Sequence, residues 1–438
     1  MILYLPVCAL ALSGLNQPTT PEPAPNEPAP SVGLILSDPQ DTLDNEERIT
    51  ELELRLEALA AELERTDLGA VAVGVDSGVF GLAPGASKIY ATDENKVSIG
   101  GYGETLFQFR PGDTDVFDAL RTVFYIGYKF NEQWLLNTEI EFEHGSTSSS
   151  SGTTSSGGSA SAEFAYIDYL YSQEHLARIG LVLVPMGWVN ELHEPTTYMT
   201  ARRSVTETRI IPTTWRELGA GVAGETEDWA YRAYVLNGLD GSDFNDDGLR
   251  GGRQSGNRAA AEDLALVARL DWTGTPGLVV GASAYTGDAG QDQAAGGADL
   301  GTTIFDIHAE YRYAGWRARG LFAMAEIDDA DEFNTGVVAG GGTNPGLAEE
   351  LDGGYLELGY NLFAGRDTEQ ALTPFVRYET IDTQAKLPAS AGPAQGIVDD
   401  IFTFGIGWNP TSNLIFKIDY EDWDDSNDVW NIQVGYVF

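Results

Sequence analysis

The sequence predicts an all-β protein, an antiparallel transmembrane β-barrel of about sixteen strands preceded by a short α-helical coiled-coil segment. Three observations lead to this prediction. Apolar and polar residues alternate along repeated segments after Lys96, and the connections between these segments alternate between short and long. The chain also ends on an aromatic residue, Phe438.

The alternation is clearest in the last segment of the chain. In a soluble sandwich the apolar side of such a strand would meet a second apolar sheet. In a membrane barrel the apolar side meets lipid, aromatic residues gather at the two interfaces, and the polar side lines the lumen. The aromatic-rich composition of the apolar side favours the barrel. The two sides are Trp430, Ile432, Val434, Tyr436 and Phe438 against Asn431, Gln433 and Gly435.

The connections predict which ends of the strands lie together. Short connections include 131–133, 173–174, 273–277 and 410–412, and long ones take the other positions. Short periplasmic turns and long extracellular loops are typical of outer-membrane barrels, and an even strand count places both termini in the periplasm. Fourteen or eighteen strands remain compatible with the pattern. The predicted strands lie near 96–110, 117–130, 133–144, 161–172, 175–187, 214–224, 228–238, 262–273, 277–288, 302–313, 316–326, 350–363, 370–380, 399–409, 412–421 and 428–438.

Composition excludes several classes of protein. The formal net charge is −42, with Asp+Glu 67 against Lys+Arg 25, which argues against a nucleic-acid partner. The only cysteine, Cys8, lies in the leader, so neither a disulfide nor a thiol site is expected in the mature chain. No later stretch reaches the roughly 20 apolar residues of a membrane-spanning helix. A chain of this kind can span a membrane only as a closed barrel.

The region before the barrel divides by composition. The leader offers Ala9-Leu10-Ala11 as a cleavage site but lacks a positively charged start, which leaves an upstream initiation codon open. Within 41–67, leucines and Ile49 recur at spacings of 3 and 4, typical of a coiled coil. A trimeric stalk is favoured over a helix lying against its own barrel. The predicted divisions are a signal peptide (1–13), a Pro-rich disordered linker (14–40), the coiled-coil helix (41–67), a Gly/Ala-rich tether (68–95) and the barrel (96–438).

Two passages carry a family resemblance: GLVLVPMGWVNELHEPTTYMTARRSVTETRIIPTTWRELGAGVAG (180–224) and VLNGLDGSDFNDDGLRGGRQSG (235–256). Together with Phe438 they resemble Gram-negative outer-membrane porins related to the phosphate-selective porin O/P family. The coiled coil is similar to that of DcaP-type porins. The resemblance covers most of residues 96–438. It implies a homotrimer in the outer membrane, in contact with lipid and lipopolysaccharide, that passes small hydrophilic solutes. Phe438 matches the aromatic terminus that the barrel-assembly machinery recognises. Having only five lysines, the chain departs from the phosphate-selective members.

Charged residues on the polar faces of the strands are candidates for lining the lumen. Charges of both signs on opposite walls would produce a transverse field that sorts ions and orients dipolar solutes. The alternative is that they only hydrate the wall and pair with one another. Glu143 extends an acidic stripe on the third strand. The candidates are Arg121, Glu139, Glu141, Arg232, Arg269, Asp306, His308, Glu310, Arg312, Arg317, Arg319 and Arg377.

Residues 188–213 are the candidate for a loop that folds inward and narrows the pore. This loop is long, partly apolar and rich in charge. A guanidinium offers a fork of donors to carboxylate or phosphate, so arginines at a narrow point would favour anions. A surface loop packed against neighbouring subunits is the alternative. The candidates are Arg202, Arg203, Arg209, Glu191 and Glu194, with His193 beside them. A weaker group, Arg250, Arg253 and Arg258, lies in the next long loop.

Metal and enzyme sites have weaker support. Asp243, Asn245 and Asp247 fit the first half of an EF-hand loop, but Gln254 stands where a bidentate glutamate is required, so only a loosely held Ca²⁺ is considered. His308 beside Asp306 is the only pair that resembles a catalytic one, and a wall-lining role is favoured. A barrel enzyme such as a phospholipase, and an adhesin or envelope tether, are the alternatives. We expect a passive porin without cofactor or catalytic residue.

Overall fold

The computed structural model describes residues 78–145, 147, 157–393 and 395–438. The predicted signal peptide, Pro-rich linker, coiled-coil helix and first part of the tether lie outside the described residues. Within the described ranges, no helix is long and apolar enough to cross a membrane.

The chain forms a closed barrel of sixteen antiparallel strands, as the sequence predicts. Each strand pairs with its neighbours in sequence, and β1 pairs with β16 to close the barrel. The strands are β1 (Lys96–Phe109), β2 (Val116–Lys129), β3 (Trp134–Glu143), β4 (Ala160–Leu170), β5 (His175–Leu183), β6 (Arg216–Glu225), β7 (Trp229–Asn237), β8 (Leu264–Thr275), β9 (Leu278–Asp288), β10 (Gly301–Tyr313), β11 (Trp316–Ile327), β12 (Glu350–Tyr360), β13 (Ala371–Lys386), β14 (Val398–Thr411), β15 (Leu414–Trp423) and β16 (Val429–Val437).

The alternation in the sequence separates the outside of the barrel from its lumen. On β16, Trp430 faces outward and is 44% exposed, while the neighbouring Asn431 faces inward and is fully buried. Successive side chains of a strand point to opposite faces, so the same division runs along every strand. The outer surface is therefore apolar and the inner surface polar.

Phe438 stands at the seam between the first and last strands. Its backbone N–H donates to the carbonyl of Gly101 at 2.8 Å, and its own carbonyl accepts from the N–H of Gly101 at 3.1 Å. The ring lies on the outer side, 6.3 Å from the ring of Phe124. The position of Phe438 and its 45% exposure agree with an outward-facing aromatic residue at the C-terminus.

The two ends of the barrel differ in their connections. The short-turn end carries the start of β1, the end of β16 and tight turns such as 314–315 and 412–413. The long-loop end carries the connections 144–159, 184–215, 238–263 and 328–349, the last of which contains the helix α3 (Ala330–Ala339). Two predicted boundaries were wrong. β5 ends at Leu183, because the chain turns into the lumen there, and β13 continues to Lys386, where it pairs with Glu350 of β12.

Two segments occupy the lumen. One is the connection 184–215, called here the inward loop, which contains a single helical turn, α2 (Thr206–Arg209). The other is the N-terminal segment, residues 78–91, which consists of the short helix α1 (Pro84–Ser87) and a 3-10 turn over Lys88–Ala91. The sequence predicts a tether over 68–95, and within that range residues 78–91 are packed against the inner wall.

Candidate functional site

The inward loop enters the lumen at a clamp formed by Glu207. Gly187 adopts φ 64°, a conformation that glycine reaches without strain, and redirects the chain away from the wall. The Glu207 carboxylate accepts the backbone N–H groups of Trp188 and Val189, the latter at 2.8 Å. Its other oxygen accepts the Tyr355 hydroxyl of β12 at 2.8 Å. The loop is thus fastened to itself and to the wall by one buried side chain.

Polar contacts hold the inward loop around most of the lumen. Each joins a loop group to an inward-facing side chain of a different strand, so the loop crosses the barrel instead of lying along one wall. Buried hydrogen bonds of this kind require a partner on both sides, which fixes the path of the loop. The contacts are Gly187 N–H to Asp306 of β10 (3.1 Å), Glu191 to Arg232 of β7 (3.0 Å), His193 to Glu139 of β3 (3.1 Å), Tyr198 to Glu104 of β1 (3.0 Å), Thr206 N–H to Glu379 of β13 (2.7 Å) and Lys417 of β15 to the Thr200 carbonyl (2.9 Å).

Every lumen-lining candidate lies on the inner face, and most are paired with one another. Asp271 of β8, which the sequence did not single out, is the centre of one cluster. It binds Arg232 at 2.9 Å, Arg269 at 2.8 Å and His308 at 2.7 Å, and the other ring nitrogen of His308 lies 2.6 Å from Asp306. His308 is fully buried between two carboxylates, which is a structural position.

Three smaller groups contain most of the remaining lumen-lining candidates. Arg121 binds Glu104 at 2.8 Å and Glu141 at 3.6 Å. Glu310 holds three guanidinium groups. Arg377 lies 3.6 Å from both Glu357 and Glu379, and it donates to Thr200 of the inward loop. The partners of Glu310 are Arg312 (2.5 Å), Arg317 (3.1 Å) and Arg319 (2.6 Å).

The candidate residues of the inward loop have different surroundings. Glu191 is buried between Arg232 and Arg269. Glu194 is fully buried and accepts the Gly85 N–H of the N-terminal segment at 2.9 Å. Arg202 pairs with Glu421 of β15 at 3.3 Å, and Arg209 lies 3.6 Å from Asp247. Glu191 and Glu194 therefore anchor the loop and are not available to a solute.

Arg203 is the exception among the loop arginines. One of its terminal nitrogens is buried and has no hydrogen-bond partner within the described residues, and the same is true of Arg250. Burial, and after it the positive charges of Arg253 and Arg203, lower the pKa of Arg250 to about 9. Arg253 donates to backbone carbonyls, among them that of Thr214 at 2.7 Å. Arg258 is exposed and stands apart.

These three residues define what we call the arginine cluster: Arg203, Arg250 and Arg253. It combines one residue from the inward loop with two from the connection 238–263, at the long-loop end of the barrel. Buried N–H donors without an acceptor are rare in folded proteins, and an anion would supply the missing acceptor. Carboxylates of β3 and β4 lie at the same end, where Glu163 is paired with Arg216 at 2.7 Å.

A cavity of about 1310 Å³ opens at the short-turn end, and we call it the vestibule. Tyr198 and Met199 of the inward loop belong to its lining, together with Trp316 and Phe375 of the wall. Arg312 and Arg317 of the Glu310 group also face it. The vestibule therefore combines aromatic surface with charges of both signs, because Glu227, Asp228 and Glu369 also line it.

The structure does not support the weak Ca²⁺ candidate. Asp247 is turned toward Arg209, and Asn245 accepts the backbone N–H of Asp247 at 2.9 Å. Across the part of the chain that the structure describes, no group of three or more His, Cys, Asp or Glu could hold a metal ion. The acidic residues of this loop make a turn and a salt bridge instead.

Three kinds of residue that build the lumen were not predicted from the sequence. Glu104 and Asp271 lie on the polar faces of their strands, so the alternation itself could have identified them. Glu207 was within the candidate loop, but nothing in its sequence context indicates a clamp. The N-terminal segment gave no signal, because its small and apolar residues read as a flexible tether.

Solved outer-membrane proteins have a similar closed-barrel architecture. The porin OmpF of Salmonella typhi, in complex with daunomycin, is similar with a TM-score of 0.54 at 12% identity, over 79% of this chain and 98% of that one. The outer-membrane protein OmpT of Vibrio cholerae, in a trimer form, gives 0.50 at 12% identity, over 79% and 100%. These likenesses establish the fold.

Sequence comparison gives a nearer relative. No protein-family model matches the chain. A protein of Aquifex aeolicus (strain VF5), described as uncharacterized, is 36% identical over 371 residues, which cover 82% of this chain and 83% of that protein. The chain belongs to the same family as this Aquifex protein.

Proposed function

We propose that this protein is an outer-membrane porin through which small hydrophilic solutes diffuse passively, with a preference for anions. The observation that carries the proposal is the arginine cluster, in which buried guanidinium donors without a partner among the described residues stand in a lumen crossed by the inward loop. An apolar outer band, as on β16, suits lipid, and a polar inner face suits water and solutes. The OmpF-like fold and the resemblance to the phosphate-selective porin O/P family support the same function.

The finer features of the proposal follow from the same barrel. The short-turn end faces the periplasm, the long loops face outward toward lipopolysaccharide, and the protein is a homotrimer. The trimeric form of the similar OmpT barrel supports the last point. Phe438 is the signal for the barrel-assembly machinery. No catalytic step is proposed, because the one pair that resembles an active site, His308 and Asp306, is buried in the Asp271 cluster.

Conductance across a planar lipid bilayer tests the proposal. The purified full-length protein should form channels, and the reversal potential in a salt gradient should show that anions carry more of the current. An Arg203→Ala/Arg250→Ala variant should lose that preference. Arg366→Ala is a matched control, because Arg366 is an exposed arginine at the short-turn end. If the protein forms no channel, the porin assignment is wrong. Hydrolysis of phospholipid or peptide by the protein would instead support the enzyme alternative.

A further inference from the structure

The N-terminal segment is joined to the inner wall by hydrogen bonds from successive strands. The Tyr90 hydroxyl donates to Asp168 of β4 at 2.6 Å and accepts from Arg178 of β5 at 2.8 Å. Asn137 of β3 donates to the carbonyl of Ala86 at 2.9 Å. Further along, the Gly81 N–H donates to Glu225 of β6 at 3.1 Å. The segment therefore follows the wall from β3 to β6.

Apolar side chains of the segment are buried as in a protein core. Phe80 is 3% exposed and packs with Leu176 and Ala223 of the inner wall. Leu82 and Ala83 belong to the same buried cluster as Tyr102 and Tyr125 of β1 and β2. Ile89 is 1% exposed. Burying apolar side chains of this size stabilises the packed position by about 1.5–3 kcal/mol each.

Glycines provide the room for this close packing. A Cβ on Gly81 would lie 2.7 Å from the guanidinium carbon of Arg232, and one on Gly85 would lie 2.6 Å from a carboxylate oxygen of Glu194. The wall makes the same allowance, because a Cβ on Gly127 of β2 would lie 2.8 Å from Ile89. A Cβ at any of these positions would force the opposing side chain to shift, and Gly81 also adopts φ 76°, which favours glycine. Segment and wall are therefore complementary in shape.

The position of the segment divides the short-turn mouth in two. Its partners lie on β1 to β7, while the wall of the vestibule is formed mainly by β8 to β15, through residues such as Thr273, Trp316, Phe375 and Ile415. One half of this mouth is filled by the segment, and the other half is the vestibule.

We propose that residues 78–91 are a resident plug, which closes one half of the short-turn mouth and directs solutes through the vestibule. The plug sets the aperture of the pore together with the inward loop, to which it is joined at Glu194. The effect of the plug on the aperture of the pore rests on the proposed porin function, whereas the position of the plug in the lumen does not.

Cysteine accessibility tests the placement without requiring a channel. In a Cys8→Ala background, Ser87→Cys lies within the plug, where Ser87 is 8% exposed. Asp93→Cys is the matched control outside the plug, where the Asp93 side chain is 75% exposed. We expect a bulky, water-soluble maleimide to label Ser87→Cys at least roughly tenfold more slowly than Asp93→Cys, as expected of a position reached only by local opening. Equal rates in the folded protein would overturn the proposal.

Conductance tests the aperture. Deleting residues 78–91 from the full chain should raise single-channel conductance roughly twofold, because the half of the mouth that the plug fills becomes a parallel path. Unchanged conductance in a deletion variant that still forms channels would contradict this effect on the aperture. If the deletion variant does not assemble, Phe80→Ala/Tyr90→Ala, which loosens the plug in place, should give brief openings to the larger conductance, and their absence would count equally against it. Protection of Ser87→Cys without any channel would retain the plug and reject the porin.

Discussion

Replacing Glu207 by alanine is expected to release the inward loop from the lumen. The carboxylate accepts three donors, the N–H groups of Trp188 and Val189 and the hydroxyl of Tyr355. Each buried donor left without a partner costs about 1–3 kcal/mol. Burial raises the pKa of Glu207, which shows that the charged carboxylate is itself costly to bury and offsets part of the gain. The net loss of anchoring should be about 3–5 kcal/mol.

Trypsin provides the assay, because the protease is too large to enter the barrel. In the wild-type protein the bonds after Arg202 and Arg203 lie inside the lumen and should resist cleavage. In Glu207→Ala they should be cut, and single-channel conductance should rise as the loop leaves. Glu207→Gln is the matched control, since its amide oxygen still accepts the two N–H groups and cleavage should stay slow. A Glu207→Ala barrel that migrates as folded, resists trypsin and conducts like wild type would refute the role of the clamp.

Three further outcomes are expected. Arg203→Ala should shift the reversal potential toward cations, while Arg366→Ala should leave it unchanged; equal shifts would contradict the arginine cluster. Burial raises the pKa of Glu194 from its ordinary 4.5 to about 7, so its contribution to stability is greatest below pH 4.5 and is lost as the pH rises through 7. The loss is about 3 kcal/mol, and Glu194→Gln should remove it from the pH dependence of thermal unfolding in detergent. A Glu194→Gln variant whose thermal unfolding depends on pH as in the wild type would contradict this contribution of Glu194. Phe438→Ala should lower the fraction of chains assembled into heat-resistant barrels, and undiminished assembly would contradict its role as a signal.

The barrel was predictable because its information is local. A strand requires only alternating apolar and polar residues and a turn, and both can be recognised in short stretches such as Trp430 to Phe438. The count of sixteen was correct for the same reason, since each turn could be recognised separately. The predicted strand boundaries were wrong where tertiary contacts determine the end of the strand. β5 stops at Leu183 because the chain is drawn into the lumen, although its sequence continues with apolar residues that suit a strand.

The lumen was predictable only in part. The polar faces of the strands identified the charged residues of the wall. Alternation predicts which way a side chain points but not which residue it pairs with, so it could not show that Asp271 neutralises Arg232 and Arg269. Arginines in two loops looked like separate candidates, and only the fold shows that the charge of Arg203 acts on Arg250. The N-terminal segment was interpreted as a tether because glycine and alanine are permissive residues. Their use in close packing becomes visible only when the opposing wall is known.

The filled lumen imposes an order on the assembly of the barrel. Arg232 and Asp306 gain further partners from the inward loop, and Asp168 and Asn137 gain further partners from the N-terminal segment. The seam between β1 and β16 closes around both segments. A sheet that closed before they were in place would lack these contacts, and the segments would then have to thread through a finished mouth. The final pairing at Gly101 and Phe438 is therefore best made last, with the contents of the barrel already gathered inside the open sheet.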